Sequence, residues 1–119
     1  MVDDDPGTRG SLTVRNRAVE RLSARAALET DGVQQFRRGV DKLTGRELPK
    51  ISVVVSGDHV RASVEIAIEW GRPLAATTAA VRSRIAQALS TMGGLTVDGV
   101  DVHVAGVVPE TSATQRTLQ

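Results

Sequence analysis

The chain has 119 residues, 40% of them apolar, and its 15 basic and 14 acidic side chains leave a formal net charge of +1. That length suits one compact domain, and the near-neutral balance excludes the strongly basic signature of a dedicated nucleic-acid binder. With no cysteine, a disulfide framework, a thiolate zinc site and a cysteine nucleophile are excluded together.

Residues Met1 to Arg9 have no periodicity and read as a solvated acidic tail, without the basic-then-apolar order of a signal peptide. From Gly10 a short alternation of Leu12 and Val14 predicts a first strand. Asn16 then caps a helix whose buried stripe is Ala18, Val19, Leu22 and Ala26. Asp31-Gly32 is a stop, Val33 to Arg38 a polar strand, and Gly39 to Lys50 a connection with Thr44-Gly45 and Pro49 as turn residues.

The clearest pattern follows. Ile51 to Val55 alternates, Ser56-Gly57-Asp58-His59 makes a hairpin turn, and Val60 to Trp70 places Val60, Ala62, Val64, Ile66, Ile68 and Trp70 on one face. Trp70 lies on the apolar parity and is expected in the core. Past Pro73, the recurrence of Leu74, Thr78, Val81, Ile85, Leu89 and Met92 predicts a helix packed by one face, stopped by Gly93-Gly94. A final strand, Leu95 to Val108, carries Val97, Val100, Val102 and Val104, with Asp98-Gly99 as a bulge or turn. No apolar run reaches the roughly 20 residues of a membrane-spanning helix.

These elements predict an α+β fold: a small, mostly antiparallel sheet of four or five strands with two helices packed on one face. The domain is placed at 10–108, between an acidic tail at 1–9 and a polar tail at 109–119.

Chemistry is sparse in this pattern. His59 is assigned to the hairpin turn and His103 to the exposed face of the last strand beside Asp101, without the converging ligands a zinc site needs. Glu65 and Glu69 alternate onto the polar face of their strand, where solvation is the default and no burial is expected to shift a pKa. No catalytic, metal-binding or cofactor-binding residue stands out, so no cofactor and no enzymatic activity are expected.

Gly7-Thr-Arg-Gly10 matches the GxxG loop of KH domains, and this makes a KH-like RNA-binding module the alternative reading. Its position before a strand, instead of between two helices, argues against it. So does the lack of an aromatic platform, since Phe36 and Trp70 are the chain's aromatics. What remains is a charge pattern: Arg17, Arg21 and Arg25 repeat every four residues along the first helix, either a solvated face or a docking stripe for an acidic partner, a lipid surface or RNA.

Several punctuating residues resemble the alkaline shock protein family of Gram-positive cell-envelope stress response proteins. They are Gly10, Ala26-Ala27, Gly32-Val33, Trp70-Gly71 at the end of the long strand, Thr91-Met92-Gly93-Gly94-Leu95, and Val100-Asp101-Val102-His103-Val104 through Gly106-Val107. The resemblance covers roughly Gly10 to Val108. The family more often has tyrosine at the position of Trp70, threonine for one glycine of the Gly93-Gly94 turn, and asparagine at that of Asp101. The resemblance implies a small non-enzymatic cytoplasmic protein that associates with itself as a homo-oligomer and docks to a membrane-anchored partner, peripheral to the membrane and not inserted in it.

Overall fold

The computed structural model describes residues 6–37 and 47–109. In chain order these form α1 (Pro6–Leu28), β1 (Val33–Gln34), β2 (Phe36–Arg37), β3 (Glu47–Leu48), β4 (Lys50–Ser56), β5 (His59–Glu69), α2 (Leu74–Thr91) and β6 (Thr96–Val108). β5 is the centre of the main sheet. Along one side it pairs antiparallel with β4 and then, at Ala67 and Ile68, with β1; along the other it pairs parallel with β6 from His59↔Thr96 to Glu69↔Val108. β2 and β3 form a separate antiparallel pair. The predicted α+β class holds, with both helices on one face of a mostly antiparallel sheet.

The alternation of β5 decides where the core sits. Val60, Ala62, Val64, Ile66 and Ile68 are buried beneath the helices, while Arg61 and Ser63 of the opposite parity are exposed. β4 and β5 are joined by the two residues Gly57-Asp58, and Gly57 takes φ +61, the left-handed conformation that primed hairpin turns demand. β6 runs parallel to β5, so it cannot be reached by a tight turn. α2 supplies the crossover.

α2 presents Thr77, Val81, Ile85 and Leu89, four apart, as its buried row. Buried Thr77 is tolerated because its hydroxyl donates to the Pro73 carbonyl at 2.8 Å. Leu74 and Met92, expected in this stripe, are exposed instead, and Thr78 is only half-buried. At about 100° per residue Leu74 and Met92 share the face of Val81, but they stand at the two ends of the helix, past the reach of the core. The helix closes with Met92 N–H donating to Ala88 O and Leu95 N–H to Leu89 O, with Gly94 at φ +65. The predicted stop at Gly93-Gly94 is correct.

The N-terminal expectation is wrong. α1 is continuous from Pro6, so Gly10 to Val14 are helical and not a strand, and Pro6–Arg9 of the expected tail open the helix. Two alternating residues, Leu12 and Val14, are too few to fix a period, and Val14 is exposed. Asn16 is therefore a mid-helix residue and not a cap; its Oδ1 is buried without a hydrogen-bond partner. The buried row of α1 is Val19, Ser23, Ala26 and Ala27, with Leu22 partly covered and Ala18 exposed. Met1 to Asp5, most of the Gly39 to Lys50 connection and residues 110–119 of the polar tail lie outside the described residues.

Candidate interaction surfaces

Arg17, Arg21 and Arg25 are all exposed on α1, but they do not form one straight stripe. Four-residue spacing drifts around the helix, and the packing of α1 between β4 and α2 turns that drift into a division. Arg17 and Arg21, with Glu20 and Ala24, border a shallow groove against Ile51 of β4. Arg25 borders the groove between α1 and α2, with Leu22, Ala26, Glu29, Ala88 and Met92. There it lies 3.6 Å from Glu29, which also comes within 4.0 Å of Arg84. Arg82 and Arg84 of α2 are exposed as well, and α2 carries no acidic residue. Sequence reading missed this second contribution because the two helices are far apart in the chain.

The sheet face away from the helices carries a different set of groups. His59, Arg61, Ser63 and Glu65 of β5 lie between Lys50, Ser52 and Val54 of β4 and Asp101 and His103 of β6. Val54 is 69% exposed there. The parallel register slips between Val97 and Gly99, leaving Asp98 as the extra residue of a β-bulge, one of the two outcomes, bulge or turn, expected of Asp98-Gly99. The bulge aims Asp98 at the hairpin: its Oδ1 lies 2.9 Å from His59 Nδ1. That hydrogen bond, then the charge of Asp98, raises the His59 pKa above its ordinary value of 6.5. Arg61 lies across Gly99 toward Asp101, 3.8 Å away. Both histidines sit where the sequence places them.

At the far end of β5 two expectations fail. Trp70 is 73% exposed, because β5 ends at Glu69 and the Trp70 N–H donates to Val108 O as the chain turns away through Gly71 at φ +94. Parity says nothing about a core that has already ended. Glu69, expected to be solvated, is buried. It accepts from Arg72 Nε at 3.2 Å, and Arg72 also reaches both carboxylate oxygens of Asp31 at 3.0 and 3.3 Å, clamping the end of α1 to the end of β5. Leu48 of β3 is buried and lies near Gly106. Gly7-Thr-Arg-Gly10 lies inside α1, so it is not the inter-helix loop of a KH clamp.

Among the described residues, no group of three or more His, Cys, Asp or Glu side chains could hold a metal ion, and no helix is long and apolar enough to cross a membrane.

β6 contributes the last surface. It spans 13 residues and pairs on one side with β5; among the described residues its other edge has no partner strand.

Comparison with solved structures places the fold beside several forms of the MamM CTD. A triply substituted form matches with TM-score 0.53 at 18% identity, covering 76% of this chain and 93% of that one. A singly substituted form matches with TM-score 0.55 at 14% identity over 76% and 95%. At such identity the likeness is one of fold alone. Among curated proteins, the uncharacterized protein YqhY of Bacillus subtilis (strain 168) is 24% identical over 110 residues, 87% of this chain and 82% of YqhY. Residues 4–109 match the alkaline shock protein 23 family, described by a cell envelope-related function, and the chain belongs to that non-enzymatic stress-response family.

Proposed function

We propose that this chain is a cytoplasmic interaction module of the cell envelope, which associates with copies of itself and docks to a membrane-anchored partner, so remaining peripheral to the membrane. The observation that carries this reading is the edge of β6 that no strand covers among the described residues. Thirteen residues at about 3.3 Å each give an edge of roughly 43 Å, and an unpaired edge offers backbone donors and acceptors to another strand. Bulges at Asp98 and at Ala105 interrupt the ladder near both ends, but Gly99 to Val104 between them is regular. That stretch is long enough for β6 of a second copy to pair with it about a twofold axis, joining two sheets into one. The family's cell envelope-related function supports the docking to a membrane-anchored partner.

The absence of cysteine makes a direct test. Single cysteines at Asp101, His103 and Ala105, oxidised alone and in pairwise mixtures, are expected to cross-link at the one or two combinations that a twofold β6 pairing brings opposite each other. A cysteine at Arg82, on α2, is expected to remain monomeric. No cross-link along β6, or equal cross-linking at Arg82, refutes edge pairing.

A further inference from the structure

The chain is nearly neutral, yet its two faces are not. From Val14 onward the helix layer carries six exposed arginines, Arg15, Arg17, Arg21, Arg25, Arg82 and Arg84, against Glu20 and Glu29. Among the described residues, the exposed stretch of the opposite sheet face, from His59 to Glu65 of β5 and its neighbours, carries with its hairpin tip four carboxylates, Asp58, Glu65, Asp98 and Asp101, against Lys50 and Arg61. With neutral histidines the first face is net positive by four charges and the second net negative by two. A layer of helices about 10 Å thick separates them, which is a Debye length at ordinary ionic strength. The two faces therefore do little to neutralise each other within one molecule.

We propose that the arginine-bearing helix layer of one copy docks on the open, acidic sheet face of the next. This second contact rests on the self-association proposed above but differs from β6 edge pairing in geometry and in physics. The surface that fits an excess of arginine is an excess of carboxylate, and this chain carries both on opposite sides. Each face also offers apolar area for contact: Val54, 69% exposed, on the sheet side, and Val14 and Met92, 68% and 69% exposed, on the helix side. Charge complementarity sets the orientation and speeds the encounter, and the apolar groups add area removed from water. Because the two faces differ, the contact is heterologous and builds rings or open chains, whereas edge pairing about a twofold stops at a dimer.

Two variants test the contact. Arg17→Glu/Arg21→Glu/Arg25→Glu makes both faces negative, and Glu65→Lys/Asp101→Lys makes both positive; circular dichroism melting first checks that each folds. In light scattering coupled to size exclusion, the unchanged protein is expected to grow beyond a dimer at about 0.02 M salt and to shrink at about 0.5 M, where screening is short. Each variant alone is expected to lose the larger species, and an equimolar mixture to restore it, since each negative face then meets a positive one. Large species in either variant alone, no recovery on mixing, or size independent of salt in the unchanged protein overturns the proposal. The salt result stands even if a variant fails to fold. Loss of binding to phosphatidylglycerol vesicles or to RNA in the arginine variant, with self-association unchanged, would instead assign that face to lipid or nucleic acid. None of these outcomes alters the disulfide pattern along β6, so the two contacts fail separately.

Discussion

Gly93 and Gly99 pose the same steric question with different obstacles. A Cβ at Gly93 would stand 2.6 Å from the Leu89 carbonyl oxygen, about 0.4 Å inside the 3.0 Å that real Cβ atoms respect. A Cβ at Gly99 would stand 2.8 Å from Arg61 Nη1. The first obstacle is backbone at the closing turn of α2, tied by the Leu95 N–H bond to Leu89 O. Gly93→Ala must displace that turn, at a cost of about 1–3 kcal/mol typical of forced overpacking, offset by about 0.4–1 kcal/mol from the lower entropy of the unfolded chain. The second obstacle is the end of a long side chain that is 59% exposed and whose contact with Asp101 spans 3.8 Å. Arg61 can swing away, losing a surface ion pair worth roughly 0–1 kcal/mol, and the same entropy gain cancels it. Neither glycine has a positive φ that would add strain. Gly93→Ala is expected to lower the melting temperature by roughly 4–10 °C, and Gly99→Ala to leave it within about 3 °C. Thermal melting followed by circular dichroism reads both. Equal losses would refute the distinction between a backbone obstacle and a side-chain one, and a neutral Gly93→Ala would show that the α2 terminus relaxes freely.

Two further outcomes follow from the same geometry. His59 has its pKa raised by Asp98, so the interaction contributes stability that is fully present below about pH 6.5 and is lost as pH rises through the higher folded value. The melting temperature of the unchanged protein relative to Asp98→Asn is therefore expected to fall between pH 6 and 8, and a flat difference would remove the clamp. Trp70 is expected to emit at the wavelength of a hydrated indole and to be quenched by iodide in the monomer, with Trp70→Ala changing stability by less than about 0.5 kcal/mol. A blue-shifted, unquenched emission would return it to the core.

Much of the fold was legible because its longest elements repeat. The hairpin of β4 and β5 could be read from a period of two and a two-residue turn, and the middle of α2 from Val81, Ile85 and Leu89. At Asp98-Gly99 the sequence allowed a bulge or a turn, and the register there has the bulge. Errors gathered where a pattern was short or at its end. Leu12 and Val14 suggested a strand inside α1, and Leu74, Met92 and Trp70 were placed in a core that stops before reaching them. Of the candidate site, the arginines of α1 were apparent as a spacing. Their division between two grooves was not, because it depends on what α1 packs against.

Local sequence, through periodicity and turn chemistry, determined the hairpin of β4 and β5, the bodies of α2 and β6, which face of β5 lies under the helices, and the charge that each element carries. Tertiary structure alone decided the rest. β6 lies parallel beside β5, which leaves a long edge unpaired among the described residues. Arg72 meets Asp31 across 41 positions and stabilises Glu69 in a buried site. Arginines from two distant helices share one side, opposite the carboxylates of β5 and β6. The reason is that hydrophobic periodicity fixes which way a side chain points within its own element, whereas its neighbours from other elements are set by how those elements pack, and an interface is made of such neighbours.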